Sequence, residues 1–252
     1  MIPLWADLSR AAFDAMDPDT IAVLPLGATE QHGPHLPYGV DTDLTCAVLA
    51  RVETQARAVQ LPVLSITKSD EHGAVPGTLS LSAETMLAVL REVVTGVAAA
   101  GVQRLVFFNG HGGNTALLEI AVRAARRDHG MIAAHTGWFA FADHTGIARP
   151  AHDLHAGQIE TSAMRAVRPD LVDMALAQDF APALQDWEAA GRLTGLTGQP
   201  ARPGWVIGDL HPAGAVGNAA AATKALGQQL IDSAAAGFGR WLEDFATFEM
   251  GA

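Results

Sequence analysis

The chain has 252 residues, 49% hydrophobic and 17% charged, a balance that supports a sizeable core and excludes a disordered protein. Its 16 basic against 27 acidic residues leave a formal charge of -11 with no Lys/Arg cluster, which argues against a nucleic-acid partner. A lone Cys46 rules out an internal disulfide framework, no apolar run is long enough to span a bilayer, and residues 1–7 carry no basic-then-apolar leader, so the expectation is one cytoplasmic domain over residues 1–252.

Residues 8–16 read as a short helix, and Pro18-Asp19 leads into Ile21-Ala22-Val23-Leu24-Pro25-Leu26, an apolar run of buried-strand length. A polar loop follows, and helical spacing resumes over 44–57. Residues 59–66 read as a second strand region interrupted by Pro62. After another polar loop, 68–78, comes a strong helix over 83–100 with Ser82 as its cap. Arg104-Leu105-Val106-Phe107-Phe108 is a third strand that runs straight into Asn109-Gly110-His111-Gly112-Gly113-Asn114, then a helix through Asp128 and a further strand over 131–138. A helix is expected over 156–167, a long excursion over 181–204, a late strand or hairpin arm over 205–209, and an Ala-rich closing helix over 219–248. Strands alternating with helices predict an α/β fold, a three-layer sandwich with a central mostly parallel sheet flanked by helices, in which the polar loops converge beyond the carboxyl ends of the strands.

The loop after the first strand, Thr29-Glu30-Gln31-His32-Gly33-Pro34-His35-Leu36-Pro37-Tyr38-Gly39-Val40-Asp41-Thr42-Asp43, brings together carboxylates and imidazoles that suit zinc, manganese or iron(II). Glu30 and His32 leave the same side of an extended segment, so they can share one site or flank two ions; the plainer reading is a solvated turn. His111 sits among glycines at a strand-to-helix turn. A phosphate cradle competes there, but neither Gly-x-x-x-x-Gly-Lys nor Gly-x-Gly-x-x-Gly is present. A last cluster, Asp153-Leu154-His155-Ala156-Gly157-Gln158-Ile159-Glu160-Thr161-Ser162, places His155 at the N-terminal edge of a helix and Glu160 about one turn in.

These motifs, with His72-Gly73-Ala74-Val75-Pro76-Gly77-Thr78 between the first and the Asn109–Asn114 turn, resemble the creatininase (creatinine amidohydrolase) family in content and order. The resemblance implies a metal pair at the strand ends and a homo-oligomer, often a hexamer. It also implies a metal-bound water as nucleophile on a non-peptide C–N bond of a small cyclic amide, lactam or formamide. By carry-over, Glu30 and His111 hold one ion, His32 the other, Asp41 bridges them, and His155 shuttles a proton to the departing nitrogen. Creatininase has a tyrosine and a metal-binding glutamate where this chain has Gly112 and Gly113. Glu160 is therefore expected to complete the second ion's shell, and the two glycines to widen the substrate-binding floor. Many relatives have Glu where this chain has Gln158, and a substrate-covering tryptophan of creatininase falls in the region that here reads Arg149-Pro150-Ala151-His152-Asp153. The competing expectations are creatinine hydrolysis proper and a member that binds metal and a small molecule without turnover.

Overall fold

In the computed structural model, which describes residues 1–73, 75–148, 150–196 and 198–251, four strands form one parallel sheet. They are β1 (Ile21–Leu26), β2 (Ala58–Gln60), β3 (Arg104–Asn109) and β4 (Ile132–Gly137), in the order β2-β1-β3-β4. β1 and β3 are matched over their whole length, from Ile21 against Arg104 to Leu26 against Asn109. Both carry runs of apolar residues without alternation because both faces of the sheet are covered.

The helices α1 (Arg10–Asp14), α2 (Val40–Leu49), α3 (Ala83–Ala99), α4 (Thr115–His129), α5 (Gln158–Val167), α6 (Leu184–Ala189), α7 (Ile207–Leu210) and α8 (Lys224–Thr247) complete the chain, with a two-stranded antiparallel pair, β5 (Asp179–Phe180) and β6 (Gly217–Asn218). Ile21, Val23, Val106 and Phe108 face α2, α5 and α8, where Leu44, Val48, Met164, Ile231 and Phe238 pack. The alternate residues Ala22, Leu24, Leu105 and Phe107 face α3 and α4, against Met86, Leu90, Val94 and Leu118. Helix, sheet and helix thus make the three layers that the sequence predicts. Among the described residues, no helix is long and apolar enough to cross a membrane.

Several expectations shift. The helix after the first loop begins at Val40 and stops at Leu49, earlier at both ends than 44–57. Beyond Gln60 the second strand region keeps contact with β1 only through isolated bonds, Leu61 N–H to the Val23 carbonyl and Leu64 N–H to the Pro25 carbonyl, because Pro62 interrupts the ladder. Residues 205–209 are read as a strand or hairpin arm, but the chain from Ile207 to Leu210 forms the short helix α7. Ser82 caps α3 as expected, accepting from Thr85 N–H at 3.2 Å.

The order of the strands decides where a site can form. From β1 the chain crosses to β2 on one side and then to β3 on the other, so the direction of winding reverses between β1 and β3. A crevice opens there beyond the carboxyl ends of the two strands.

Candidate metal centre

Each motif enters that crevice from the end of an element. The loop after β1 carries Glu30 and His32, Asp41 lies in the first turn of α2, and His111 follows β3 just before a 3-10 turn, Gly112–Asn114. Asparagines hold this last turn in shape: Asn109 Nδ2 donates to the His111 carbonyl at 2.6 Å, and Asn114 Nδ2 donates to Asn109 Oδ1 at 3.1 Å. Glu160 lies in the first turn of α5 and reaches back to accept from Ala156 N–H at 2.5 Å. Ala156 takes the left-handed conformation, φ 53°, so α5 starts two residues later than the sequence suggests and His155 precedes it on extended chain.

The side chains of all five expected ligands meet. Asp41 divides its oxygens between two imidazoles, Oδ1 lying 3.4 Å from His32 Nε2 and Oδ2 3.4 Å from His111 Nδ1. Glu30 Oε1 is 3.2 Å from His111 Nδ1, and Glu160 Oε2 is 3.9 Å from His32 Nε2. Glu30 is 0% exposed, His32 0%, Asp41 2%, His111 4% and Glu160 6%. Among the described residues, both Glu30 oxygens, His32 Nε2 and Asp41 Oδ2 are buried with no hydrogen-bond partner. Orphaned acceptors are costly in an interior, and a set of them pointing at one another is the donor arrangement that a divalent cation satisfies.

Backbone carbonyls assign the ring protons, because a carbonyl only accepts. His32 Nδ1 donates to the Glu30 carbonyl at 3.1 Å, which leaves Nε2 bare toward Asp41 and Glu160. His111 Nε2 donates to the Lys68 carbonyl at 2.8 Å, which leaves Nδ1 bare toward Glu30 and Asp41. His155 Nε2 donates to the Gln31 carbonyl at 2.8 Å, and its bare Nδ1 lies 3.8 Å from Glu30 Oε1. Partners of this kind orient metal-binding imidazoles.

Burial penalises every charge in the cluster, and the shifts record which neighbours outweigh it. Burial pushes His32 down, but Asp41, Glu160 and Glu30 lift it to about 9, so without an ion Nε2 takes up a proton in the place where a cation would displace it and bare the nitrogen. His111 is likewise penalised by burial and held well above the ordinary imidazole range by Glu30, Glu71 and Asp41. Burial would raise Glu30, yet His111, His72 and His32 hold it well below the usual carboxylate range. Glu160 is raised to about 7, chiefly by burial, with His32 opposing. Burial and the neighbouring His32 and His72 depress His155 well below its ordinary value, which keeps its Nδ1 unprotonated.

Two residues that the sequence reading does not place in the site, Glu71 and His72, stand beside the cluster, both on a 3-10 turn, Asp70–His72, within the second polar loop. His72 Nε2 lies 3.0 Å from Glu30 Oε1, and Glu71 Oε1 lies 3.3 Å from His111 Nε2, across the ring from Glu30. Glu30, Glu71 and His111 form one of three donor groups close enough for a metal, beside His32, Asp41 and Glu160, and Glu30, His32 and His155. His72 is visible in its motif, but only the folded loop shows which residue it meets. Gly113, expected in the substrate floor, instead leaves room for Glu71, since a Cβ there would collide with Glu71 Oε1 and His111 Nε2. Gly112 does border an open cavity of about 470 Å³ above the cluster, together with His135, Thr136, Phe139, Leu154 and His155. Ala74 and Arg149, inside two of the motif regions, lie outside the described residues.

Carboxylates and bare imidazole nitrogens gathered at the switch point of a doubly wound sheet are the fold and donor set of a metal-dependent hydrolase. The chain belongs to the creatininase family: the family model described as creatinine amidohydrolase matches residues 6–242. It is 33% identical over 95% of its length, and 93% of the relative's, to a mycofactocin precursor peptide peptidase of Mycobacterium ulcerans (strain Agy99). It is 32% identical to a creatinine amidohydrolase of Pseudomonas putida, over 66% of this chain and 71% of that one. Among solved structures, a mutant creatininase with phenylalanine in place of a tryptophan superposes with a TM-score of 0.79 at 25% identity, covering 97% of this chain and 99% of the other.

Proposed function

We propose that this chain is an amidohydrolase using two divalent ions, zinc, manganese or iron(II), to cleave an amide in a substrate larger than creatinine. The split carboxylate of Asp41, one oxygen toward the bare nitrogen of each of His32 and His111, carries the reading, because it provides for two ions side by side. Glu30 and His111 would hold one ion, His32 and Glu160 the other, with Asp41 between them. Bound there, divalent ions would supply Lewis acidity to the amide carbonyl and hydroxide at neutral pH. His155 Nδ1, its ring locked by the Gln31 carbonyl, takes a proton from the attacking water and returns it to the departing nitrogen. Burial of the cluster restricts competing water, while the cavity bordered by Gly112 and Leu154 admits the substrate.

The relative matched along nearly the whole chain is a peptide peptidase, which favours a peptide-like amide over the small cyclic amide, lactam or formamide suggested by the sequence. The latter stands as the second reading, favoured by likeness to a creatinine amidohydrolase. The test is to strip the purified protein with a chelator, reload it with each metal, and follow amide cleavage beside metal stoichiometry. Cleavage that needs reloaded metal, at two ions per chain, supports the reading; equal cleavage by stripped protein ends it. Metal uptake with no cleavage of any amide in a broad panel favours a binding protein.

A further inference from the structure

Gln31 lies next to the donor cluster, 5% exposed, with each end of its carboxamide engaged. Its Oε1 accepts from Gly33 N–H at 2.9 Å, and its Nε2 donates to the Gly214 carbonyl at 2.7 Å. An amide N–H only donates and a carbonyl only accepts, so these two contacts fix which end of the carboxamide is nitrogen. The same Nε2 lies 2.8 Å from His72 Nδ1, which must therefore accept. An imidazole accepting at Nδ1 carries its proton at Nε2, and that atom is the one 3.0 Å from Glu30 Oε1.

Of the four imidazoles around Glu30, three (His32, His111 and His155) turn bare nitrogens inward, each because its other nitrogen donates to a backbone carbonyl. His72 is reversed. We propose that Gln31 and His72 are a positioning pair: the carboxamide sets the tautomer of His72 so that the protonated Nε2, not a lone pair, lies beside Glu30 Oε1, a close electropositive contact rather than a formed hydrogen bond, and steadies that carboxylate's aim at the metal. His72 is on this account not a ligand, although it is as near the cluster as the ligands are. The inference rests on the metal reading above.

The distinction is measurable, since glutamine at position 72 offers an N–H at similar reach but no imidazole lone pair. Zinc affinity, read by competition with a chromophoric chelator, should fall about tenfold or more in His72→Leu and Gln31→Leu, the usual scale for a lost outer partner, and stay within about threefold in His72→Gln. In protein labelled with nitrogen-15 histidine, His72 should show its proton on Nε2, and Gln31→Leu should mix the tautomers. Loss in His72→Gln equal to that in His72→Leu would make His72 a ligand and overturn the proposal. So would an Nδ1 proton on His72 in the unmodified protein, a result that needs no variant to fold. Unmodified protein that binds no zinc would sink the metal reading, while the tautomer would still decide whether Gln31 controls His72.

Discussion

Asp41 is the residue on which both halves of the cluster depend. In the proposed two-ion site its carboxylate would offset the repulsion between two cations and orient each, so Asp41→Ala should remove both ions rather than one, measured by elemental analysis of the purified variant. Retention of one full equivalent would mean the halves are independent. His155, whose Nδ1 is 3.8 Å from Glu30 Oε1, is expected to behave differently on the proposal that it transfers a proton rather than holding an ion. His155→Ala should cut turnover by roughly a hundredfold or more with metal content unchanged; joint loss of metal and activity would reassign it as a ligand. These residues are legible in the sequence because Glu, His and Asp at the ends of apolar runs have few structural uses. Glu71 is not, since it comes to His111 only through the gap at Gly113, and a missing side chain does not announce what fills its place.

At the scale of elements, the helices that position ligands depend on caps. Asp153 sits outside α5 yet caps it, accepting from Gln158 N–H at 2.6 Å and Ile159 N–H at 3.1 Å. A Cβ on Gly157 would collide with this carboxylate, which explains a glycine at the mouth of a helix that delivers Glu160. Asp153→Ala should cost about 1 kcal/mol of stability, as lost caps do, read from denaturant unfolding. Burial raises the Asp153 carboxyl from 3.8 to about 6 against the pull of those two N–H groups. A raised carboxyl favours its protonated form in the folded chain, so its contribution is full below 3.8 and lost as pH rises through about 6. The stability of unmodified protein relative to Asp153→Asn should therefore decline over that interval; an unchanged difference would remove Asp153 from the account. The cap is not legible in the sequence because its acceptor lies five residues before the first amide it serves, beyond the spacing of ordinary caps. Ser82, adjacent to its helix, is. Short apolar runs such as 205–209 fit helix or strand equally well, and packing of Ile207 and Leu210 against Val216 decides for helix.

The whole molecule sets what can reach the donor cluster. Alternation of strand and helix makes the parallel sheet legible, and with it the edge where the loops converge, but not the shape of the space above them, which several distant segments build. That space, about 470 Å³, runs from Glu30, Asp41 and His111 out past His135, Thr136 and Phe139 at the end of β4, and Leu154 borders it before α5. Among the described residues its lining contains no lysine or arginine, so no fixed positive charge in that lining pairs with a free carboxylate or phosphate at the outer end. Gly112 contributes no side chain to its floor, and a Cβ added there would meet nothing within 4 Å. A ring as small as creatinine would fill a fraction of this volume and keep freedom to turn, forfeiting positioning worth several kcal/mol of the barrier. Creatinine should therefore be a poor substrate, and uncharged amides with apolar or polar extensions, short blocked peptides among them, better ones. Steady-state hydrolysis of both, with each metal supplied, decides the matter. Creatinine turnover with kcat/KM of about 10⁴ M⁻¹s⁻¹ or higher, within the ordinary enzyme range, would show that the cavity closes around a small ring and would return the chain to its family's namesake activity.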